Sequence, residues 1–195
     1  MRIEATFVRS AASAGDLPGD GNPAIALVGR SNVGKSSLIN ALVRQRVART
    51  SGDPGKTRLA NIYRVDRPST GSGRAGSTLY LVDLPGYGFA RGRREEFEPV
   101  VEAVFGRDAR PAALLLVDAR HPGLESDLDA WEWLRRAAPR SAIVATKTDK
   151  LSRAERPRAR KTNEAAFEHP VLPVSAVTGE GLDELWKLID RLTSR

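Results

Sequence analysis

Apolar residues in this chain fall into short unbroken runs, separated by stretches where they recur every three or four positions. The unbroken runs are Ala24 to Val28, Ala112 to Val117, Ala142 to Ala145 and Val171 to Val174. Each is too short for an ordinary helix and lacks the alternation of a strand with one wet face, so they predict strands covered on both faces. Residues 3 to 8 (IEATFV) read as an opening strand and 11 to 22 (AASAGDLPGDGN) as a loop of small and breaking residues. Asn61 to Val65 and Leu79 to Val82 read as two more strands. They are joined by Asp66 to Ser77 (DRPSTGSGRAGS), whose Gly, Ser and Pro content predicts a mobile connection with no site in it.

The periodic stretches predict helices. Phe97, Val100, Val101, Val104 and Phe105 share one helical face, Leu124, Leu128, Trp131 and Leu134 a second, and Leu182, Leu185, Trp186, Ile189 and Leu192 a third. The aromatic residues in these stripes are read as core. Between Ser152 and Phe167 the pattern is less regular, because Pro157 has no N–H to donate, so a helix either begins at Pro157 or is kinked there. Strands alternating with helices predict an α/β fold, a mostly parallel sheet with helices on both faces. Ligands of such sheets bind beyond the carboxyl ends of the strands.

Composition narrows the classes. A chain of 195 residues suits one domain with a sizeable core. Lys and Arg number 31 against 24 Asp and Glu, a net charge of +7 that points to a polyanionic partner, although an arginine-rich composition gives the same sum. The absence of cysteine excludes disulfides, thiolate zinc sites and cysteine nucleophiles. No apolar run approaches the ~20 residues of a membrane-spanning helix, and Met1 to Ser10 lacks the apolar core of a signal peptide. A cytoplasmic protein without a membrane partner is expected.

Candidate chemistry starts where the first apolar run ends, at Gly29-Arg30-Ser31-Asn32-Val33-Gly34-Lys35-Ser36-Ser37. This is the pattern G-x-x-x-x-G-K-[ST] between a predicted strand and a predicted helix. Its glycines let the backbone turn and approach an anion, and its successive N–H groups form a nest at the positive end of the helix dipole. Lys35 supplies charge for the outer phosphates, and the Ser36 hydroxyl can ligate Mg²⁺. Asp83-Leu84-Pro85-Gly86 follows the strand LYLVD. There the carboxylate can hold Mg²⁺ through a water, and the Gly86 N–H can bond a terminal phosphate. Pro54-Gly55-Lys56-Thr57-Arg58 places a threonine that could reach the metal only while a γ-phosphate is present; alone it would be an ordinary Pro-Gly turn.

Thr146-Lys147-Thr148-Asp149 ends the strand AIVA. The Asp149 carboxylate can accept from the N1–H and 2-amino group of guanine while the Lys147 stem lies against the ring. Adenine lacks both donors on that edge, so a pocket of this kind discriminates by orders of magnitude. Ser175-Ala176-Val177 follows the last strand and offers a backbone N–H to the guanine 6-oxygen. Together these loops select guanine nucleotides.

In this order the motifs are similar to those of translation-factor-class small GTPases. More narrowly, GRSNVGKSSLINAL, PGKTR, VDLPGYGFA, VDARH and TKTDKL resemble the bacterial EngB/YihA/YsxC family, within the TrmE-Era-EngA-YihA-septin group. The resemblance implies a P-loop NTPase with a small-GTPase-like sheet, in which residues 1–22 are an N-terminal strand and loop and 23–195 a single GTP-binding domain. It implies GTP/GDP and Mg²⁺ as ligands and a monomeric GTPase. Its partner would be the large ribosomal subunit precursor, both RNA and proteins, whose late assembly it assists, with a link to septation and cell division. Carried over by position, Gly29 to Ser36 hold the phosphates, Ser36 and Thr57 ligate Mg²⁺ and Asp83 does so through water. Asp83 and Gly86 sense the γ-phosphate, and Thr146, Lys147, Asp149, Ser175 and Ala176 read guanine.

Two positions depart from the general GTPase pattern. Thr146 replaces the usual Asn, which predicts a weaker inter-loop hydrogen bond, although the family itself carries Thr. Tyr87 stands where many GTPases have a water-orienting Gln, which predicts slow intrinsic hydrolysis. Catalysis then rests on Lys35, Thr57, Gly86 and Asn32, the last at the position that coordinates an activating K⁺ in related cation-dependent GTPases; the alternative is that Asn32 bonds only within its loop. Arg91, Arg93 and Arg94 follow the Asp83 motif and are read as contacts to ribosomal RNA, whereas Arg153, Arg156, Arg158, Arg160 and Lys161 read slightly better as a solvated face. His121 and His169 have no ligand-like spacing. A competing reading is a nucleotide-gated interaction module for septation without RNA contact. A third, a P-loop kinase or ATPase, is opposed by TKTD.

Overall fold

The computed structural model describes residues 3–11, 16–49, 59–68, 76–87, 100–101, 103–106 and 111–194. Seven strands form one sheet in the order β1-β3-β4-β2-β5-β6-β7. They are β1 (Glu4–Ala11), β2 (Ala24–Gly29), β3 (Ala60–Arg67), β4 (Ser77–Asp83), β5 (Ala112–Asp118), β6 (Ser141–Thr146) and β7 (Val171–Pro173). From β4 through β2, β5 and β6 to β7 all pairings are parallel, whereas β3 runs antiparallel to both β1 and β4. The sheet is therefore mostly parallel with an antiparallel edge. Asp66, Arg67 and Ser77, expected in the connection, belong to β3 and β4 and pair across the ladder, Arg67 opposite Ser77. Residues 69–75 of that connection lie outside the described residues.

Alternate residues of the central strands face opposite layers, as the pleat requires. Ile25 and Leu27 of β2, with Leu114 and Leu116 of β5, pack against α1 (Lys35–Val43) through Leu38, Ile39 and Leu42. Leu185 and Ile189 of the C-terminal helix belong to the same layer. Ala26 and Val28, with Leu115 and Val117, face Trp131 and Leu134 of α2 (Glu125–Ala137), Phe167 of α3 (Glu155–Phe167), and Val100, Val101, Val104 and Phe105. The C-terminal helix, α4 (Leu182–Thr193), is fastened at its outer side as well. Trp186 donates from Nε1 to the Leu42 carbonyl at 3.3 Å, and Arg67 pairs with Asp190 while its guanidinium lies 4.6 Å over the Trp186 ring. Each fully buried Leu or Ile contributes roughly 1.5–3 kcal/mol of burial free energy, so two complete layers hold the carboxyl ends of the strands in fixed register.

Pro157 does not start α3: it is the third residue of a helix that runs from Glu155, and because Arg156 already donates from its N–H to the Ser152 carbonyl at 3.2 Å, the proline stands one place past the first intrahelical bond and has no N–H to offer the Arg153 carbonyl. The start is set upstream. The Glu155 carboxylate accepts from the Ser152 N–H at 2.7 Å and the Ser152 hydroxyl accepts from the Glu155 N–H at 3.4 Å, a capping box written S-R-A-E in the chain. No helix among the described residues is long and apolar enough to cross a membrane.

Candidate nucleotide site

The loop between β2 and α1 can exist only with its glycines. A Cβ on Gly29 would come within 2.7 Å of the Leu116 carbonyl oxygen and 2.9 Å of Val33 Cγ1, and Gly34 has φ 107°, outside the range of ordinary side-chain-bearing residues. Asn32 also takes a positive φ, 62°, and lies exposed. This winding folds residues 30–34 around the N-terminus of α1. Lys35 is buried and points back along the loop, donating to the carbonyls of Gly29 at 3.0 Å and Arg30 at 3.2 Å. Burial pushes its ammonium pKa down, partly opposed by the charge of Asp83. The Ser36 hydroxyl donates to Asp83 Oδ2 at 2.8 Å, and Ser37 is exposed. Burial raises the Asp83 pKa, against the lowering effects of Lys35 and Ser36.

Asp83 ends β4 beside β2, opposite Leu27. The chain then hugs the loop. Leu84 puts its side chain in the core and its N–H on the Leu27 carbonyl, and Pro85 is buried too. Gly86 presses against Ser31 so closely that a Cβ there would come within 2.6 Å of the Ser31 N and Cα atoms. The Ser31 N–H donates to the Tyr87 carbonyl at 3.1 Å. Tyr87 Oη donates to Asp127 Oδ1 of α2 at 2.8 Å.

At the ends of β5 and β6 the charged groups are densely paired. Lys147, in a left-handed conformation with φ 60°, donates from Nζ to the Asn32 carbonyl at 2.6 Å and to Asp118 Oδ2 at 3.0 Å. Arg120 grips the same carboxylate through Nε at 2.9 Å and Nη2 at 2.7 Å. Burial opposes ionisation of Asp118, but donation from Arg120 and Lys147 outweighs it and holds its pKa well below the usual carboxylate range. The Thr146 hydroxyl donates toward the Val33 carbonyl at 2.7 Å, with the Val117 carbonyl at 3.1 Å, so the inter-loop link is made despite the missing Asn. Asp149 Oδ1 accepts from the Ser175 hydroxyl at 2.7 Å. The Ser175 N–H goes to the Glu180 carbonyl, while the N–H of the exposed Val177 goes to the Ser175 hydroxyl. Thr148 Oγ1 is buried without a hydrogen-bond partner.

The fold thus brings the loop at 29–37, Asp83 to Gly86, Thr146 to Asp149 and Ser175 to Val177 to one end of the sheet. Gly55, Lys56, Thr57 and Arg58, and Arg91, Arg93 and Arg94, lie outside the described residues. Sequence reasoning missed Asp118, Arg120 and Asp127. For the first two the signal was available, an acidic residue ending a buried strand in VDARH; for Asp127 there was none. Among the described residues no group of three or more His, Cys, Asp or Glu could hold a metal ion. The Ser36–Asp83 pair supplies hard oxygens of the kind Mg²⁺ takes, one or two from the protein with the rest from phosphates and water.

A family model described as 50S ribosome-binding GTPase matches residues 24–147. A "Probable GTP-binding protein EngB" from Symbiobacterium thermophilum is 41% identical over 222 residues, covering 97% of this chain and 95% of that protein. The chain belongs to the EngB family of GTPases. As a member it binds guanine nucleotides and hydrolyses GTP. Among solved structures, a probable GTP-binding protein EngB shares the fold with a TM-score of 0.64 at 21% identity, over 88% of this chain and 98% of that one. An Era structure in complex with MgGDPNP and nucleotides of 16S ribosomal RNA aligns with a TM-score of 0.64 at 25% identity over 89% of this chain. The EngB-family chain spans 57% of that Era's length.

Proposed function

We propose that this EngB-family GTPase is a cytoplasmic switch that docks on the large ribosomal subunit precursor in its GTP form and assists late assembly. The reading is supported by the family model described as 50S ribosome-binding GTPase, and its nucleotide side by Lys147, whose ammonium reaches from the TKTD loop to the Asn32 carbonyl and joins base loop to phosphate loop.

On this reading Asp149 accepts the N1–H and 2-amino hydrogens of guanine, oriented by the Ser175 hydroxyl. Ala176 offers its N–H to the 6-oxygen, since that of Ser175 is engaged by Glu180. The loop N–H groups and Lys35 take the phosphates; Lys35 exchanges its two carbonyl partners for phosphate oxygens, whose negative charge counters the lowering effect of burial on its pKa. Ser36 and Thr57 would hold Mg²⁺, with Asp83 acting through water. Bound there, the ion neutralises charge that develops on the phosphates during hydrolysis. Gly86 reports the γ-phosphate through its N–H.

Slow intrinsic hydrolysis is part of the proposal, supported by the Tyr87 hydroxyl donating to Asp127 rather than serving as a water-orienting amide. Activation by K⁺ at Asn32 is the accompanying hypothesis. It predicts faster turnover in KCl than in NaCl at equal ionic strength, and equal rates would remove it. For RNA contact the first basic cluster is favoured. In the second, Arg156 pairs with Glu180 at 2.8 Å and Arg160 with Glu164 at 2.9 Å, as on a solvated helix face.

Co-sedimentation with purified large ribosomal subunits tests the proposal. Binding with a non-hydrolysable GTP analogue and release with GDP is the expected result. No binding in either state, with guanine-nucleotide affinity intact, would overturn it in favour of a septation module without RNA contact.

A further inference from the structure

Asp127 is 1% exposed, a carboxylate in the first turn of α2 that none of the roles above uses. Its partner is Tyr87, one residue beyond the γ-phosphate-sensing glycine and 40 positions upstream of Asp127. Three contacts run through this short segment. The Tyr87 side chain is tied to α2 by the 2.8 Å bond to Asp127, its carbonyl accepts from the Ser31 N–H, and Gly86 lies against Ser31 with no room for a Cβ. The Gly86 backbone is therefore clamped between the phosphate loop on one side and a buried acid on the other.

We propose that Asp127 is a positioning residue for γ-phosphate recognition: through the Tyr87 hydroxyl it straps the Gly86–Tyr87 backbone onto Arg30 and Ser31, so that the Gly86 N–H is presented to the γ-phosphate at a fixed place. Tyr87 stands in the sequence position of the usual glutamine with a different duty, to anchor the glycine before it. A tyrosine suits this duty because its rigid ring carries the hydroxyl far enough to reach a helix in the opposite layer. The carboxylate is buried because a water-exposed acceptor would exchange the tyrosine for solvent. Breaking the strap leaves Gly86 in contact with Ser31 but free to shift, and the loss falls on the γ-phosphate alone, since the β-phosphate is held by the loop N–H groups and Lys35.

This inference rests on the proposed role of Gly86, so the experiment separates the two. Affinities for N-methylanthraniloyl-GDP and for N-methylanthraniloyl-guanylyl imidodiphosphate, and the single-turnover GTP hydrolysis rate, are measured for the wild type, Tyr87→Phe, Asp127→Ala and Asp127→Asn. In Tyr87→Phe and Asp127→Ala the ratio of analogue to GDP affinity falls about tenfold, the value of one hydrogen bond to a charged acceptor, and hydrolysis falls with it, while GDP affinity stays. Asp127→Asn keeps an acceptor oxygen and restores most of the ratio. GDP affinity doubles as a check on folding. An unchanged ratio, a rise in the ratio, or an equal fall of both affinities would overturn the strap. A Gly86→Ala variant that leaves the ratio unchanged would instead overturn the role of Gly86 itself.

Discussion

The two ends of the nucleotide site are built differently. At the base end nearly every polar group already has a permanent protein partner: Lys147 on Asp118 and Asn32, Arg120 on Asp118, Thr146 on Val33, Asp149 on Ser175. At the phosphate end the partners can be exchanged. Lys35 rests on the carbonyls of its own loop, and Ser36 rests on Asp83, the residue with which it would share a metal. The difference follows from what each end must do. Guanine is the same in substrate and product, so its pocket gains by being rigid before binding. The γ-phosphate comes and goes, so the groups that meet it need bonds that can be traded at little cost.

The comparison is broken most severely by removing the exchangeable charge. Lys35→Ala should lower affinity for guanine nucleotides about a hundredfold, the worth of more than one charge-assisted hydrogen bond, as read by equilibrium titration with fluorescent nucleotide. Asp149→Ala should weaken GTP binding by a similar order, about a hundredfold, while leaving weak ATP binding where it was, because adenine never used the carboxylate; competition titration with both nucleotides gives the answer.

Asp118→Asn tests whether the base end is rigid because of its charges. With the ionised anchor of Lys147 and Arg120 gone, GDP should dissociate about tenfold faster in stopped-flow chase. The pH dependence has a definite sign. The folded-state pKa of Asp118 is depressed below its unfolded value, so its contribution to stability is present above the unfolded carboxylate pKa of about 3.9. It is lost as pH falls through the lower folded value. The stability gap between wild type and Asp118→Asn, read by urea unfolding at a series of pH values, should therefore be constant above about pH 5 and close as pH falls below the unfolded carboxylate pKa. The smallest effect is expected from Thr146→Val, a change of nearly equal volume that removes one hydroxyl. Leaving the Val33 carbonyl without its 2.7 Å donor should cost about 1 kcal/mol, seen in urea unfolding.

Some of this was legible in the chain because its causes are local. The glycines of GRSNVGKSS answer to backbone angles and close approaches within the same few residues, and the unbroken run Ala24 to Val28 announces a strand covered on both sides. Pro157 was harder to place, because tolerance of proline depends on where the helix starts, and that was set by the Ser152–Glu155 capping box. Asp127 was not legible at all. On a helical wheel it is one acid among the polar positions of α2, and only the arrival of Tyr87 from another strand's end makes it a buried acceptor.

By itself the amino-acid sequence determined the alternation of strands and helices, the phosphate-binding loop, the guanine-reading motifs and their order, because each is a matter of spacing and side-chain chemistry within a dozen residues. Tertiary structure alone decided which charges meet. The pairing of Lys147 with Asp118, the reach of Thr146 to a carbonyl 113 positions away, and the clamp of Gly86 between Ser31 and Asp127 all depend on strand order and register. Those are settled by two hydrophobic layers packing at once, a cooperative outcome that no single stretch encodes.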